Sequence, residues 1–253
     1  MEPERIALYG VLVVAGVAAG FINTVAGGGS LMTLPALMLL GLPAGVANGS
    51  NRLAVVAQSI SGVVAYRRAG KLDDARVLPV IAPTVVGAAC GAGVAAYSPD
   101  WLLEPVLLGT LVVMALVLLL RPKIGAPDED EEPLTFRERP WAIAGLFGAG
   151  LYGGFIQAGV GFVLLAVLAG MLRMDLVRAN ALKLVCTLTF GVVALGIFVF
   201  ADQVAWVEAS VLAVATVVGS QLGVRFAVKA SAKMLRAIVF VTVVASVIAI
   251  VLR

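Results

Sequence analysis

The sequence contains no histidine, two cysteines and only 15 acidic residues in 253. Without histidine, the chain has no imidazole for acid–base catalysis, proton relay or metal binding. Cys90 and Cys186 both lie inside apolar runs, where cysteine usually serves as a small buried residue. A phosphate-binding P-loop is also missing. We therefore expect no metal site, no cofactor and no enzymatic activity, and a gradient or a partner would have to supply energy.

Apolar sequence is what the chain has in abundance, with 61% hydrophobic and 13% charged residues. Soluble domains are closer to half apolar and a quarter charged. The apolar runs are long and continuous, whereas the strands of a membrane barrel alternate over about ten residues. The sequence thus predicts an all-α, polytopic membrane protein. Its basic residues cluster between the apolar runs, so we expect surrounding lipid and no nucleic-acid partner, while a homodimer stays open.

The apolar runs predict two successive sets of five helical elements. The first set covers about 6–24, 30–42, 43–66, 77–97 and 101–120, and the second about 141–156, 160–172, 176–200, 204–228 and 234–252. The second element of each set makes only about 20 Å of helix, less than the hydrocarbon core of about 30 Å. We therefore predict a short or broken helix near the midplane of the bilayer in each set.

Local motifs recur in the same order in both sets. The pairs are Gly20-Phe21-Ile22-Asn23 with Gly154-Phe155-Ile156-Gln157, Gly27-Gly28-Gly29 with Gly159-Val160-Gly161, and Ala47-Asn48 with Ala179-Asn180. We predict a first transmembrane repeat over residues 1–120, a cytoplasmic acidic linker over 121–139 and a second transmembrane repeat over 140–253. An odd number of elements in each half would make this an inverted repeat.

The distribution of lysine and arginine predicts the orientation of the chain. The loops around residues 67–76, 121–139, 173–178 and 225–236 are rich in basic residues and belong inside. The turns around 98–100 and 201–205 carry no lysine or arginine and belong outside. Both termini are therefore expected outside.

Three consecutive glycines, Gly27, Gly28 and Gly29, interrupt the first apolar stretch. Glycine costs about 1 kcal/mol per residue in a helix interior relative to alanine. One helix should therefore end near Thr24 or Val25, and another should begin near Ser30, with Ser30 as a candidate N-cap. The free N–H groups and the positive dipole end of the new helix would face the gap. The alternative is a helix crossing lined by glycine.

Arg52 and Lys183 lie well inside predicted helices, about nine and seven residues from their starts. A charge at the bilayer centre costs at least about 2.5–3.5 kcal/mol and usually marks a functional path. Because no predicted helix centre contains aspartate or glutamate, we expect an anionic ligand to supply the counter-charge. We also expect inversion to bring the two cations together. The alternative is that they cap backbone carbonyls of the broken helices or reach a water-filled vestibule.

Neutral polar side chains accompany the two cations. Asn48 and Arg52 are four residues apart and Asn180 and Lys183 are three apart, so each pair shares a helix face. The candidate substrate-binding residues are Asn23, Gly27, Gly28, Gly29, Ser30, Asn48, Asn51, Arg52, Gln157, Gly159, Gly161, Asn180 and Lys183. Each of the amides and hydroxyls, taken alone, is more often a contact between membrane helices.

A long, ordered run of motifs links the first half to a known family. The motifs are Gly20-Phe21-Ile22-Asn23, Ala26-Gly27-Gly28-Gly29-Ser30, Leu34-Pro35, Gly41-Leu42-Pro43, Gly49-Ser50-Asn51-Arg52 and Arg67-Arg68-Ala69-Gly70-Lys71-Leu72-Asp73. With them the chain resembles the TauE/SafE sulfite exporter family, also called the toluene sulfonate uptake permease family. The resemblance implies a bacterial plasma (inner) membrane transporter of small anions such as sulfite, sulfoacetate or another sulfonate. The chain departs from the family at Asn23, where members often carry aspartate, and in its second half, which keeps only Gly159 and Gly161.

The residues and the resemblance together favour a secondary transporter that exports small, sulfur-containing anions by alternating access. Two other classes stay open. One is a membrane assembly factor whose polar core is only structural, and flux through reconstituted vesicles separates it from a transporter. The other is an intramembrane enzyme that uses Ser30 or Ser50 near Lys183, and replacement of the two serines tests it.

Overall fold

The computed structural model describes residues 3–25, 27–103, 105–106, 109, 133–231 and 234. The helices are α1 Pro3–Val25, α2 Ser30–Leu39, α3 Ala44–Arg68, α4 Asp74–Ala96, α5 Trp141–Phe155, α6 Val160–Leu165, α7 Leu176–Phe200 and α8 Trp206–Ala227. These residues contain no β-strand, so the predicted all-α class is confirmed. The predicted elements 101–120 and 234–252 lie largely outside the described residues, as does the acidic part of the linker.

In the described part of the chain, the helices long and apolar enough to cross a membrane are α1, α4, α7 and α8. Helix α3 has 25 residues but carries a polar stretch that includes Asn48, Asn51 and Arg52. Helices α2 and α5 have 10 and 15 residues, about 15 and 22 Å of helix, which is too short for a hydrocarbon core of about 30 Å. The structure therefore confirms a multi-pass helical membrane protein.

The second short helix differs from its prediction. The sequence predicts one helix over about 160–172, but α6 ends at Leu165 and a π-helical turn follows over Ala166–Met171. The wider turn closes with a hydrogen bond from the Leu172 amide to the Val167 carbonyl, 3.0 Å long. Single π-turns inside helices are frequent near functional sites.

The first helix of each half packs along the fourth helix of the other half, so that α1 lies along α8 and α5 lies along α4. Gly20 lies against the Thr216 carbonyl, and its motif equivalent Gly154 lies against the Ala88 carbonyl. An added Cβ would lie 2.1 and 2.2 Å from those oxygens, so only glycine permits either approach. The exchange is what the predicted inverted repeat would produce. The repeat itself, and the division at residues 1–120, 121–139 and 140–253, stay predictions.

Helices α3 and α7 cross at the centre and run antiparallel. A Cβ on Gly191 would lie 3.2 Å from Val56, and one on Gly62 would lie 2.5 Å from Leu184. A contact made later along α3 therefore involves an earlier residue of α7, which shows that the two helices are antiparallel. Helix α3 also packs along α8, and α7 packs along α4. The two central helices are the ones that carry Arg52 and Lys183.

Candidate functional site

The first helix break lies between α1 and α2, where the sequence predicts it. Gly27 and Gly28 have φ of 84° and 109°, a backbone conformation that favours glycine. The prediction that Ser30 is the N-cap is wrong, because Gly29 occupies the N-cap position and Ser30 is the first residue of α2. The Ser30 hydroxyl instead turns to α3, where it accepts a 3.3 Å hydrogen bond from the Asn51 amide.

The second break lies between α5 and α6. Gln157 and Gly159 have φ of 69° and 72°. A left-handed conformation is strained for a residue with a side chain and persists only where its surroundings hold it. The Gln157 Oε1 accepts a hydrogen bond from the Arg52 guanidinium, which supplies one such restraint.

The glycine stretches of the two breaks lie in contact. A Cβ on Gly27 would lie 2.7 Å from the Gly161 carbonyl carbon, and a Cβ on Gly161 would lie 2.6 Å from the Gly27 Cα. A Cβ on Gly28 would lie 2.2 Å from the Phe162 ring. The two breaks therefore meet backbone to backbone, with no space for a side chain between them.

Side chains of other helices satisfy the last carbonyls of α1. Lys183 Nζ donates to the Asn23 carbonyl, and Asn180 Nδ2 donates to the Val25 carbonyl at 2.8 Å. The Tyr66 hydroxyl donates to the Thr24 carbonyl at 3.3 Å. Terminal carbonyls of a helix have no partner within the helix, so α7 and α3 cap three consecutive carbonyls of α1.

The end of α5 has a corresponding cap from α3. Arg52 donates to the Gly153 carbonyl, to the Gly154 carbonyl at 2.7 Å and to the Phe155 carbonyl at 3.4 Å. Asn48 Nδ2 also donates to the Phe155 carbonyl, at 2.9 Å. The Arg52 guanidinium lies 5.3 Å above the centre of the Phe198 ring, at a distance typical of a cation–π contact.

Each half of the chain therefore caps the broken helix of the other half, an arrangement that we call the cross-caps. Asn48 with Arg52 forms one, and Asn180 with Lys183 forms the other, although the cations are offset by one position in the aligned motifs. The C-terminal end of a helix carries about half a negative charge, which favours a cation at that place. The capping role that the sequence left open as the alternative is thus present in the structure.

The expectation that the two cations come together is wrong. The Arg52 guanidinium lies against Phe198, which follows Lys183 by fifteen positions on α7, about 22 Å of helix. Both cations lie near the N-terminal ends of their helices, and α3 and α7 are antiparallel, so the two positions separate. Arg52 caps the C-terminal end of α5 and Lys183 caps that of α1.

All thirteen residues predicted for the site are buried. Gly27, Gly28 and Gly161 form the junction of the breaks, Gly29 and Gly159 directly precede α2 and α6, and Asn23 contributes its backbone carbonyl. Among the described residues, Arg52 and Lys183 are fully buried and no aspartate or glutamate is buried. The buried charge of the described core is therefore positive.

Sequence reasoning missed three residues beside the breaks. Thr33 donates a 2.7 Å hydrogen bond to Asn51 Oδ1, Phe162 covers Gly28, and Tyr66 caps α1. The spacing of Ser30 and Thr33, which places both on one face of α2, could have indicated Thr33. Nothing in the sequence pattern indicates the partners of Phe162 or Tyr66.

Broken helices that meet inside a multi-pass helical protein are a feature of many membrane transporters. The chain belongs to the sulfite exporter TauE/SafE family, whose model matches residues 12–250. The family predicted from the motifs is thus confirmed, and the chain is a membrane transporter with a small-molecule substrate and a lipid environment.

Similar proteins carry transporter names. The chain is 27% identical over 245 residues to the probable membrane transporter protein ORF9 of Sinorhizobium sp., covering 97% of this chain and 93% of that one. It is 30% identical over 236 residues to the probable membrane transporter protein YfcA of Escherichia coli strain K12, covering 92% and 86%. A probable membrane transporter protein of Haemophilus influenzae is 25% identical over 237 residues, covering 92% and 91%. No solved structure matches the chain.

Proposed function

We propose that the chain is a secondary transporter that exports small anions across the bacterial plasma (inner) membrane by alternating access. The proposed substrates are sulfite, sulfoacetate or another organosulfonate or sulfur oxyanion. One observation carries the anion assignment: Arg52 and Lys183 are fully buried while no carboxylate is buried among the described residues. The family description, which names sulfite export, supports the sulfur-containing class.

The charges near the breaks leave a positive surplus. Two cations contribute two positive charges, and the two helix ends that they cap contribute about one negative charge together. The N-terminal end of α2 adds about half a positive charge. A transported anion would reduce this surplus, whereas a transported cation would increase it.

Two groups near the breaks are suited to bind an oxyanion. Arg52 Nε is buried and has no hydrogen-bond partner among the described atoms, so one donor of the planar guanidinium remains for a ligand. The second is the N-terminal end of α2, where the Leu31 and Met32 amides donate to the Gly28 and Gly29 carbonyls, both at 3.0 Å, so its contribution is the positive end of the helix dipole. The anion would bind at Arg52 Nε, and Lys183 would act on it at longer range.

The cross-caps offer a basis for alternating access. Under the predicted orientation, α3 begins outside and α7 begins inside, so Arg52 lies in the outer part of the membrane and Lys183 in the inner part. Each cap ties one half of the protein to the broken helix of the other half. Release of one cap at a time would open one side while the other side stays closed.

A thermal-shift screen of the purified protein tests the substrate class. The ligands are sulfite, sulfate, thiosulfate, sulfoacetate, taurine and carboxylates. A ligand at 100 times its Kd stabilises the folded protein by about 2.7 kcal/mol, so a sulfur oxyanion should raise the melting temperature. Arg52→Gln should lose this shift. The matched control is Arg178→Gln, which removes a half-exposed arginine 3.4 Å from Asp175 and should keep the shift.

The same screen separates the transporter from an assembly factor with a structural polar core. The hydrogen bonds from the terminal nitrogens of Arg52 to three backbone carbonyls favour the structural alternative. If no anion stabilises the wild type, while Arg52→Gln still lowers its melting temperature, the cations serve only to cap helices and the proposed anion site is wrong.

A further inference from the structure

Four buried polar side-chain atoms in the described part of the chain have no hydrogen-bond partner. They are Arg52 Nε, Gln58 Oε1, Ser59 Oγ and Gln203 Oε1. Three of the four belong to one short stretch of α3. Buried polar groups nearly always have a partner, and an exception requires an explanation such as a water or a ligand.

Ser59 is unusual among the buried hydroxyl residues of the helices. In a helix, serine and threonine commonly donate to the carbonyl four residues earlier. Thr24, Thr84 and Thr187 do so here, at 2.8, 2.8 and 2.7 Å. Ser59 is 0% exposed and its hydroxyl makes no hydrogen bond, so its donor remains available.

The position of Ser59 on α3 follows from its neighbours. It lies two turns after Arg52 and shares the same helix face. It also lies between Val56, which meets Gly191, and Gly62, which meets Leu184. Ser59 therefore faces the part of α7 between Leu184 and Gly191, at the crossing of the two central helices.

This crossing lies between the two cations. Ser59 is about 10 Å along α3 from Arg52. Gly62 lies about 5 Å further along α3 and meets Leu184, the residue that directly follows Lys183 on α7. An anion that moves between the two cross-caps would pass the level of Ser59.

We infer that Ser59 is a binding residue on the anion path, and that its hydroxyl donates to the oxyanion as it moves between Arg52 and Lys183. The inference rests on the proposed function and adds an intermediate position to it. The ligand is a small oxyanion because the free group is a donor that lies between two buried cations. Gln58, whose free atom is an acceptor, does not fit this role.

Cysteine labelling tests the inference. Cys90 and Cys186 are first replaced with alanine, and Ser59→Cys is then introduced. The probe is 2-sulfonatoethyl methanethiosulfonate, a small anionic thiol reagent. Ser220→Cys is the matched control, because Ser220 is also 0% exposed but its hydroxyl bonds to Thr24 and to the Gln58 carbonyl. We expect the cysteine at position 59 to react at least tenfold faster than the control.

The cationic trimethylammonium form of the reagent supplies the charge test. It should react with the cysteine at position 59 at least tenfold more slowly than the anionic form does. A reaction no faster than that of Ser220→Cys overturns the path, and equal rates with the two reagents overturn the anion assignment. If Ser59→Cys does not fold, Ser59→Ala replaces it. That variant should lower sulfite flux at least threefold with an unchanged size-exclusion profile, and full flux would indicate a site for internal water only.

The labelling outcome is independent of the transported substrate. If the wild type carries no sulfite and the cysteine at position 59 still prefers the anionic reagent, the proposed substrate is wrong and the inference holds. If the wild type carries sulfite and this cysteine is as unreactive as the control, the inference fails alone.

Discussion

Replacing Arg52 with glutamine should uncap the C-terminal end of α5. Arg52 donates to the carbonyls of Gly153, Gly154 and Phe155, but Asn48 also donates to the Phe155 carbonyl at 2.9 Å. The substitution therefore leaves two buried carbonyls without a donor. An unsatisfied buried group costs about 1–3 kcal/mol, so the two together should cost about 2–6 kcal/mol.

A loss of about 3 kcal/mol should lower the apparent melting temperature by about 6–12 °C in a protein of this size. The assay is thermal unfolding in detergent with no added anion, which separates capping from ligand binding. Arg52→Lys should lose about half as much, because one ammonium group can still reach one or two carbonyls. The control Arg178→Gln should change little, since exposed ion pairs contribute about 0–1 kcal/mol. If Arg52→Gln melts within about 2 °C of the wild type, Arg52 does not stabilise the end of α5.

Three further predictions concern the other cap, the junction and the topology. Lys183→Gln frees one carbonyl of α1 rather than two, so its melting temperature should fall about half as far as that of Arg52→Gln; an equal or larger fall would contradict this reasoning. Gly28→Val should abolish flux while the size-exclusion profile stays that of the wild type, because φ at Gly28 is 109° and the Phe162 ring would lie 2.2 Å from an added Cβ. Normal flux would mean that the junction serves only to pack helices. Cysteines introduced at Pro127 and Gln203 should react with impermeant reagents from inside and outside, respectively, and labelling from the same side would refute the inverted topology.

Local chemistry made several helix ends predictable from the sequence. The start of α7 agrees with the prediction, and Asp175 caps it by accepting hydrogen bonds from the Val177 and Arg178 amides, both at 3.0 Å. The break after α1 was predictable because Gly27 and Gly28 occupy a backbone region that favours glycine. Such signals depend only on neighbouring residues.

Features that depend on tertiary packing were not predictable in the same way. The sequence motifs align Arg52 and Lys183, but only the antiparallel crossing of α3 and α7 shows that the two cations separate. The left-handed conformation of Gln157 depends on contacts that include one with Arg52. The hydroxyl of Ser30 leaves its own helix because Asn51 on α3 offers a donor. In each case the feature depends on a contact with another helix that is remote in sequence.

Sulfite flux into reconstituted vesicles is the most direct test of anion transport through this protein. Radiolabelled sulfite should exchange across vesicles that contain the wild type, and an excess of unlabelled sulfite should compete with it. Vesicles with Gly28→Val protein, matched for protein content, should exchange no more than empty vesicles. If wild-type vesicles exchange neither sulfite nor the other sulfur oxyanions faster than empty vesicles, the chain does not transport these anions under a simple gradient and the account is wrong.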